Sequence, residues 1–122
     1  LETRYDLATD KVVVLGDLND TPASDPLAPL LSMPALTDAF ELEGLPDAER
    51  WSYVYEGRAQ QIDYILVSDA LRGDFRSAGL ERRGMPPEYL AGQTPSIAAY
   101  STIDNWRNAG SDHAAVFADF EI

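Results

Sequence analysis

Val12-Val13-Val14-Leu15-Gly16-Asp17-Leu18-Asn19-Asp20 is the stretch from which the rest of the chain can be read. Its apolar, largely β-branched run bounded by Gly16 predicts a strand buried on both faces. Asp17 and Asn19 follow two residues apart, so both side chains leave one face if the backbone stays extended. A carboxylate beside an amide can orient a water and hydrogen-bond an oxyanion. A plain loop explains the same residues, because Gly, Asp and Asn are common after strands.

Working outward, Ile62-Asp63-Tyr64-Ile65 places an acid inside the apolar run Ile62 to Val67. A carboxylate there is costly unless paired or hydrogen-bonded. An imidazole partner would satisfy Asp63 and fix the histidine tautomer for acid/base work; an exposed strand end would also explain it. Ser111-Asp112-His113 precedes a third apolar run, and His113 is the only histidine. A lone histidine is commonly structural, but Asp112 can bind metal while His113 handles protons or phosphate charge. In this order the three stretches point to metal-assisted phosphoester hydrolysis. A serine-hydrolase triad lacks its G-x-S-x-G elbow, and no Walker-type phosphate loop is present.

Between these stretches the pattern is mixed α and β, strand-rich, with about five strands. Leu1 to Asp10 reads as the tail of a polar helix. Ser24 or Asp25 can cap a short helix through Leu31, with Pro26 in its first turn. A second short helix is expected over Pro34 to Glu43, then a loop at Gly44-Leu45-Pro46. Trp51 to Tyr55 alternates, and a turn at Glu56-Gly57-Arg58-Ala59 would pair it with Gln61 to Val67 as an antiparallel hairpin. The face carrying Trp51, Tyr53 and Tyr55 could stack a base or sugar, or serve sheet packing. Asp74 to Arg82 and Ala114 to Ile122 are further strands. Arg83 to Gly110 is a long irregular stretch whose Tyr89, Tyr100, Trp106 and Arg107, with Arg82 and Arg83, could meet substrate.

The chain has 122 residues, enough for one domain or a large piece of one. Its net charge is −12, from 21 acidic and 9 basic residues, with Lys11 the single lysine. That balance lacks the basic footprint of a protein that grips nucleic acid by its phosphates. Clustered carboxylates suit a hard divalent cation instead. Absent cysteine excludes a disulfide framework and a thiolate metal site. No apolar stretch approaches the roughly 20 residues of a membrane span. The polar start Leu1-Glu2-Thr3-Arg4, without initiator methionine, is expected of a chain that begins inside a longer protein or after processing.

The order of motifs resembles the C-terminal half of the endonuclease/exonuclease/phosphatase superfamily, the deoxyribonuclease I-like fold. Gly16-Asp17-Leu18-Asn19 resembles its Gly-Asp-Phe-Asn motif, with Leu for Phe. Trp51-Ser52-Tyr53 followed by Gln61-Ile62-Asp63-Tyr64-Ile65-Leu66 is similar to its Thr-Tyr and Ile-Asp-Tyr-Ile pair. Ser111-Asp112-His113 resembles its terminal motif, with Ala115 where Pro is usual. The resemblance implies an α+β fold that is half of a four-layer αββα sandwich, mostly antiparallel, with residues 1–122 the C-terminal portion of a single domain and the N-terminal half absent. It implies Mg²⁺, for which Mn²⁺ could substitute, as cofactor, and a nuclease or phosphodiesterase activity. Asp17 would activate the attacking water and bind metal, Asn19 would support the transition state, and Asp112 would hold metal. His113 would contact the scissile phosphate or act as acid/base, steadied by Asp63. Expected partners are nucleic acid or another phosphoester, and an N-terminal half or partner chain that completes the sandwich and the metal site. If these residues were the entire polypeptide, an incomplete metal site and an exposed sheet face would follow. Likeness of the hairpin to bacterial secreted nucleases favours an extracellular or periplasmic location. The competing functions are a phosphatase or lipid phosphodiesterase on the same fold, and a non-catalytic binding module.

Overall fold

A computed structural model describes residues 4–122. The fold is α+β, and among the described residues there are seven short strands in three antiparallel sheets and few, short helices. Strand β5 (Asp63–Ser68) organises the first sheet, lying between β1 (Val13–Asp17) and β2 (Leu36–Asp38). All six of its residues are buried, and alternation splits them between two cores. Ile65 and Val67 join Phe40, Leu71 and Ala78, whereas Tyr64 and Leu66 join Leu7 and Leu36. Each large apolar side chain so placed contributes about 1.5–3 kcal/mol relative to exposure. β5 is the fully buried strand that sequence periodicity assigned to β1. β1 itself is half open, with Leu15 68% exposed.

The second sheet pairs β6 (Phe75–Glu81) with β7 (Ala115–Phe120). Leu80, Val116, Ala118 and Phe120 pack from this sheet onto the Phe40 cluster, so the two sheets share one core. Helix α2 (Ala39–Leu42) supplies Ala39 and Phe40, both fully buried, to that core. On the outward face of β6 the ring of Phe117 lies over Gly79, where an added Cβ would come within 2.8 Å of it. The opposite face of the first sheet is covered by Leu7 and by α1 (Ala28–Leu31), through Leu30 and Leu31.

Several local expectations change for physical reasons. Residues 4–10 form turns closed on the Asp6 carbonyl, not a helix, and Leu1 to Thr3 lie outside the described residues. α1 begins later than expected, with Leu27 at its N-cap and no side-chain cap from Ser24 or Asp25; Pro29, not Pro26, sits in its first turn. The segment expected to be a helix from Pro34 is a strand until Asp38, because β2 takes the free edge of β5. Asp38 then caps α2 by accepting from Phe40 N–H at 2.8 Å. Trp51 to Tyr55 forms a hairpin, but β3 (Tyr53–Tyr55) pairs with β4 (Arg58–Gln60), not with Gln61 to Val67. Positive φ at Glu56 (48°) and Gly57 (78°) makes a two-residue turn that matches strand twist and fixes this register. The irregular stretch contains a short helix, α3 (Pro87–Ala91), pinned by buried Leu90. With Met85, Trp51, Val54 and Ala114, Leu90 forms a third core that holds the hairpin near the start of β7.

Phe40 is the side chain on which the shared core turns. Replacing it with Ala is expected to destabilise the chain by about 3–5 kcal/mol in urea unfolding. A loss below about 1 kcal/mol would show that the sheets do not depend on this contact.

Candidate active site

Strand register places Asp17 directly opposite Asp63 at the end of the β1–β5 ladder. Facing carboxylates repel and are unfavourable on a sheet. The structure resolves this with an imidazole: His113 Nδ1 lies 2.7 Å from Asp63 Oδ2, and His113 Nε2 lies 4.0 Å from Asp17 Oδ2. Asp112 Oδ1 is also 4.0 Å from Nε2. Asp63 is the sheltered member, its side chain 13% exposed, whereas Asp17 and Asp112 open to solvent at 46% and 57%. Burial lowers the affinity of His113 for a proton, but the hydrogen bond and charge of Asp63, aided by Asp112 and Asp17, outweigh it. The net effect raises its pKa above the ordinary imidazole value. With Nδ1–H donated to Asp63, Nε2 is the atom that faces the two open carboxylates.

Asn19 reaches this site by a different route from the one expected. β1 ends at Asp17 and Asn19 turns left-handed (φ 56°), so the two side chains do not share an extended face. Instead Asn19 N–H donates to Asp17 Oδ1 at 2.8 Å and holds that carboxylate in an Asx turn. The loop is anchored from beneath by Tyr64, whose hydroxyl donates to the Asp20 carbonyl at 2.8 Å. Burial first, then the charges of Asp38, Asp20 and Asp63, push the Tyr64 phenol up and keep it protonated.

Ser52 and Tyr53, which the sequence offered only as a family-like motif and a stacking or packing face, both shape the site. Fully buried Ser52 Oγ accepts from Ile62 N–H at 3.2 Å and Asp63 N–H at 3.1 Å. Its carbonyl accepts from Ala114 N–H at 2.8 Å, one residue past His113. A single residue thereby fixes the backbone of both dyad members. Tyr53 backs the imidazole, with ring centroids 4.9 Å apart. The sequence sign of Ser52 was its place in the Trp51-Ser52-Tyr53 motif, which gave it no stated role.

The loop arginines are mostly committed elsewhere. Arg82 stacks on Trp51 at 4.0 Å and donates to the Trp51 and Glu49 carbonyls. Arg83 forks onto Glu81, whose carboxyl is thereby held down to about 2, and covers Tyr100 at 4.6 Å. A cleft of about 430 Å³ with Asp38, Arg50, Gln61 and Tyr64 in its lining holds none of the dyad residues.

Asp17, Asp63 and His113 offer ligand atoms within 4.8 Å of one another. Oxygen donors with one imidazole and no thiolate suit a hard or borderline divalent cation. Asp63 is engaged by His113, whereas Asp17 and Asp112 are open to solvent. Carboxylates around an oriented imidazole have the groups that acid/base chemistry uses. The sequence profile of the Endonuclease/Exonuclease/phosphatase family matches residues 1–113, and the chain belongs to that family. Membership implies phosphoester hydrolysis as its general chemistry. No curated protein and no solved structure matches the chain.

Two measurements test this geometry. Asp63→Asn should lower the titration midpoint of the single histidine, followed by NMR in chelator. The sign follows from the raised pKa: the bond stabilises the fold fully below about 6.5 and is lost as pH rises through the raised value, so the variant should flatten that dependence. Ser52→Ala should cost about 1–3 kcal/mol for each buried N–H left unpaired, and should displace the His113 midpoint as well. A stability loss with no change at His113 would reduce Ser52 to a purely structural role.

Proposed function

We propose that the chain is a Mg²⁺-dependent phosphodiesterase of nuclease type, with Mn²⁺ able to substitute. The observation that carries this reading is the Asp63–His113 hydrogen bond, with Nε2 turned toward Asp17 and Asp112. In this reading Asp17 takes a proton from the attacking water, held in place by the Asn19 backbone. His113, whose proton affinity Asp63 raises, delivers a proton from Nε2 to the phosphate or its departing oxygen. The Asn19 side chain, exposed at the mouth, hydrogen-bonds the phosphoryl oxygens. Asp17 and Asp112 hold the cation, which when bound neutralises charge on the phosphate.

Mg²⁺ favours six oxygen ligands and keeps several waters. The remaining ligands therefore come from water, the phosphate and, on the family resemblance, an acidic residue upstream of these 122 or on a partner chain. An extracellular or periplasmic location belongs to the same proposal and rests on the hairpin's resemblance to secreted nucleases. The net charge of −12 favours a second reading, a phosphatase or lipid phosphodiesterase acting on a small phosphoester.

The test is hydrolysis of plasmid DNA and of bis(p-nitrophenyl) phosphate by the chain, with Mg²⁺ and with chelator. Turnover should vanish in chelator, and His113→Ala should lower it by about 10²–10⁴-fold. Asp17→Asn should act in the same direction. Turnover indifferent to chelator or to His113→Ala would overturn the mechanism. Cleavage of the small diester without cleavage of plasmid would favour the second reading.

A further inference from the structure

Beside the dyad, a cleft of about 480 Å³ has Pro86, Glu88, Tyr89, Trp106, Ser111 and Asp112 in its lining. Asp112, one of the two carboxylates 4.0 Å from His113 Nε2, lines this cleft and sets it next to the imidazole. Its volume lies within the roughly 300–1,000 Å³ typical of small-molecule sites. We infer that Trp106 and Tyr89 form a subsite for a planar aromatic ring of the substrate, attached next to the phosphoester. The position of the phosphate rests on the function proposed above, whereas ring binding does not.

Three features of this chain carry the inference. First, Trp106 is 64% exposed, while the other tryptophan, Trp51, is buried under Arg82. Among the described residues Trp106 joins none of the buried clusters, and the Arg107 guanidinium stands 5.4 Å from its ring. Second, the turn that presents Trp106 is built, not slack. Asn108 Oδ1 accepts from Asp104 and Asn105 N–H at 3.0 and 3.2 Å, and Asn108 Nδ2 donates to the Thr102 carbonyl at 3.2 Å. Asn105 Oδ1 accepts from Arg107 N–H at 2.9 Å. These bonds flank Trp106 on both sides and fix the backbone from which it projects. Tyr89 is held as firmly, on a helix pinned by buried Leu90, with Gln93 Nε2 donating to its carbonyl at 3.1 Å.

Third, charge selects the occupant. Glu88 and Asp112 border the cleft, and Arg82 and Arg83 are tied to Glu49, Trp51 and Glu81. A run of phosphates would meet carboxylates there. A stacked ring carries no such penalty, and base–aromatic stacking needs no basic residue. Tyr89 and Glu88 also wall a neighbouring cleft of about 520 Å³, whose other side is Tyr53 and Tyr55. Aromatic surface thus continues to the ring that backs His113.

NMR titration of the full chain with adenosine, p-nitrophenol and ribose tests the subsite without requiring turnover. Adenosine or p-nitrophenol should shift the Trp106 indole N–H and the Tyr89 and Ser111 amides saturably, while the Trp51 indole stays still. Trp106→Ala should weaken binding, read at Tyr89 and Ser111, by about tenfold or more. Tyr5→Ala, an exposed aromatic lining a different cleft, should leave it unchanged. Tighter adenosine assigns the ring to a nucleobase, and tighter p-nitrophenol to an aryl group. No saturable shift with either aromatic, ribose as effective as they are, or undiminished affinity in Trp106→Ala would overturn the inference. Ring binding without hydrolysis of any phosphodiester would leave the subsite standing and remove the proposed function.

Discussion

The hydrogen bond between Asp63 and His113 ties the first sheet to the segment that leads into the second. Asp63 belongs to the central strand of one sheet, and His113 stands at the start of β7 in the other. Its 2.7 Å length requires both backbones to be held, since side-chain torsions alone would not keep a 13% exposed carboxylate against a ring. The fold meets this from both sides. β5 is buried on both faces, which leaves Asp63 little freedom, and Ser52 ties Asp63 to Ala114 through three hydrogen bonds. Removing the charge partner would leave an unpaired group in a partly dry setting, a cost far larger than any surface ion pair returns.

This arrangement separates sheltered from exposed roles among four acid/base groups. Asp63 is covered and serves the imidazole. Asp17 and Asp112 are open and face outward from the same ring nitrogen. The division follows from position in the ladder. Asp17 ends an edge strand and Asp112 lies in a loop before a strand, whereas Asp63 opens a central strand. A site with identical residues and reversed burial would hold the histidine in no fixed tautomer and give a cation no open oxygen.

Much of this was legible in the chain. The acid inside the apolar run Ile62 to Val67 required a partner, and the only histidine was the obvious imidazole. Strands near 75–81 and 115–120 were also expected from the sequence, and the α+β class followed from the family resemblance. What was not legible depends on tertiary choice. Leu36 to Asp38 has no strand signal strong enough to outbid Pro34 and Ala39 as helix cues, and it is a strand because β5 offers an edge. The hairpin partner was misread because Gln61 to Val67 is the stronger strand pattern, and a strong pattern belongs at a sheet centre. Asn19 could be placed near Asp17 by spacing, but its left-handed backbone could not be foreseen from an extended reading.

The charge of the chain then bears on what the site can take. Arg82 and Arg83 are folded onto carbonyls, a carboxylate and aromatic rings, and the net charge is −12. A long polyanion would gain few counterions by binding such a surface, and its affinity would depend weakly on salt. On the function proposed above, attraction for a phosphoester would concentrate at one point, beside His113, Asp17 and Asp112. Affinity beyond that point has to come from uncharged contact. The exposed Trp106, fixed by its asparagine turn, is the largest such surface beside the cleft.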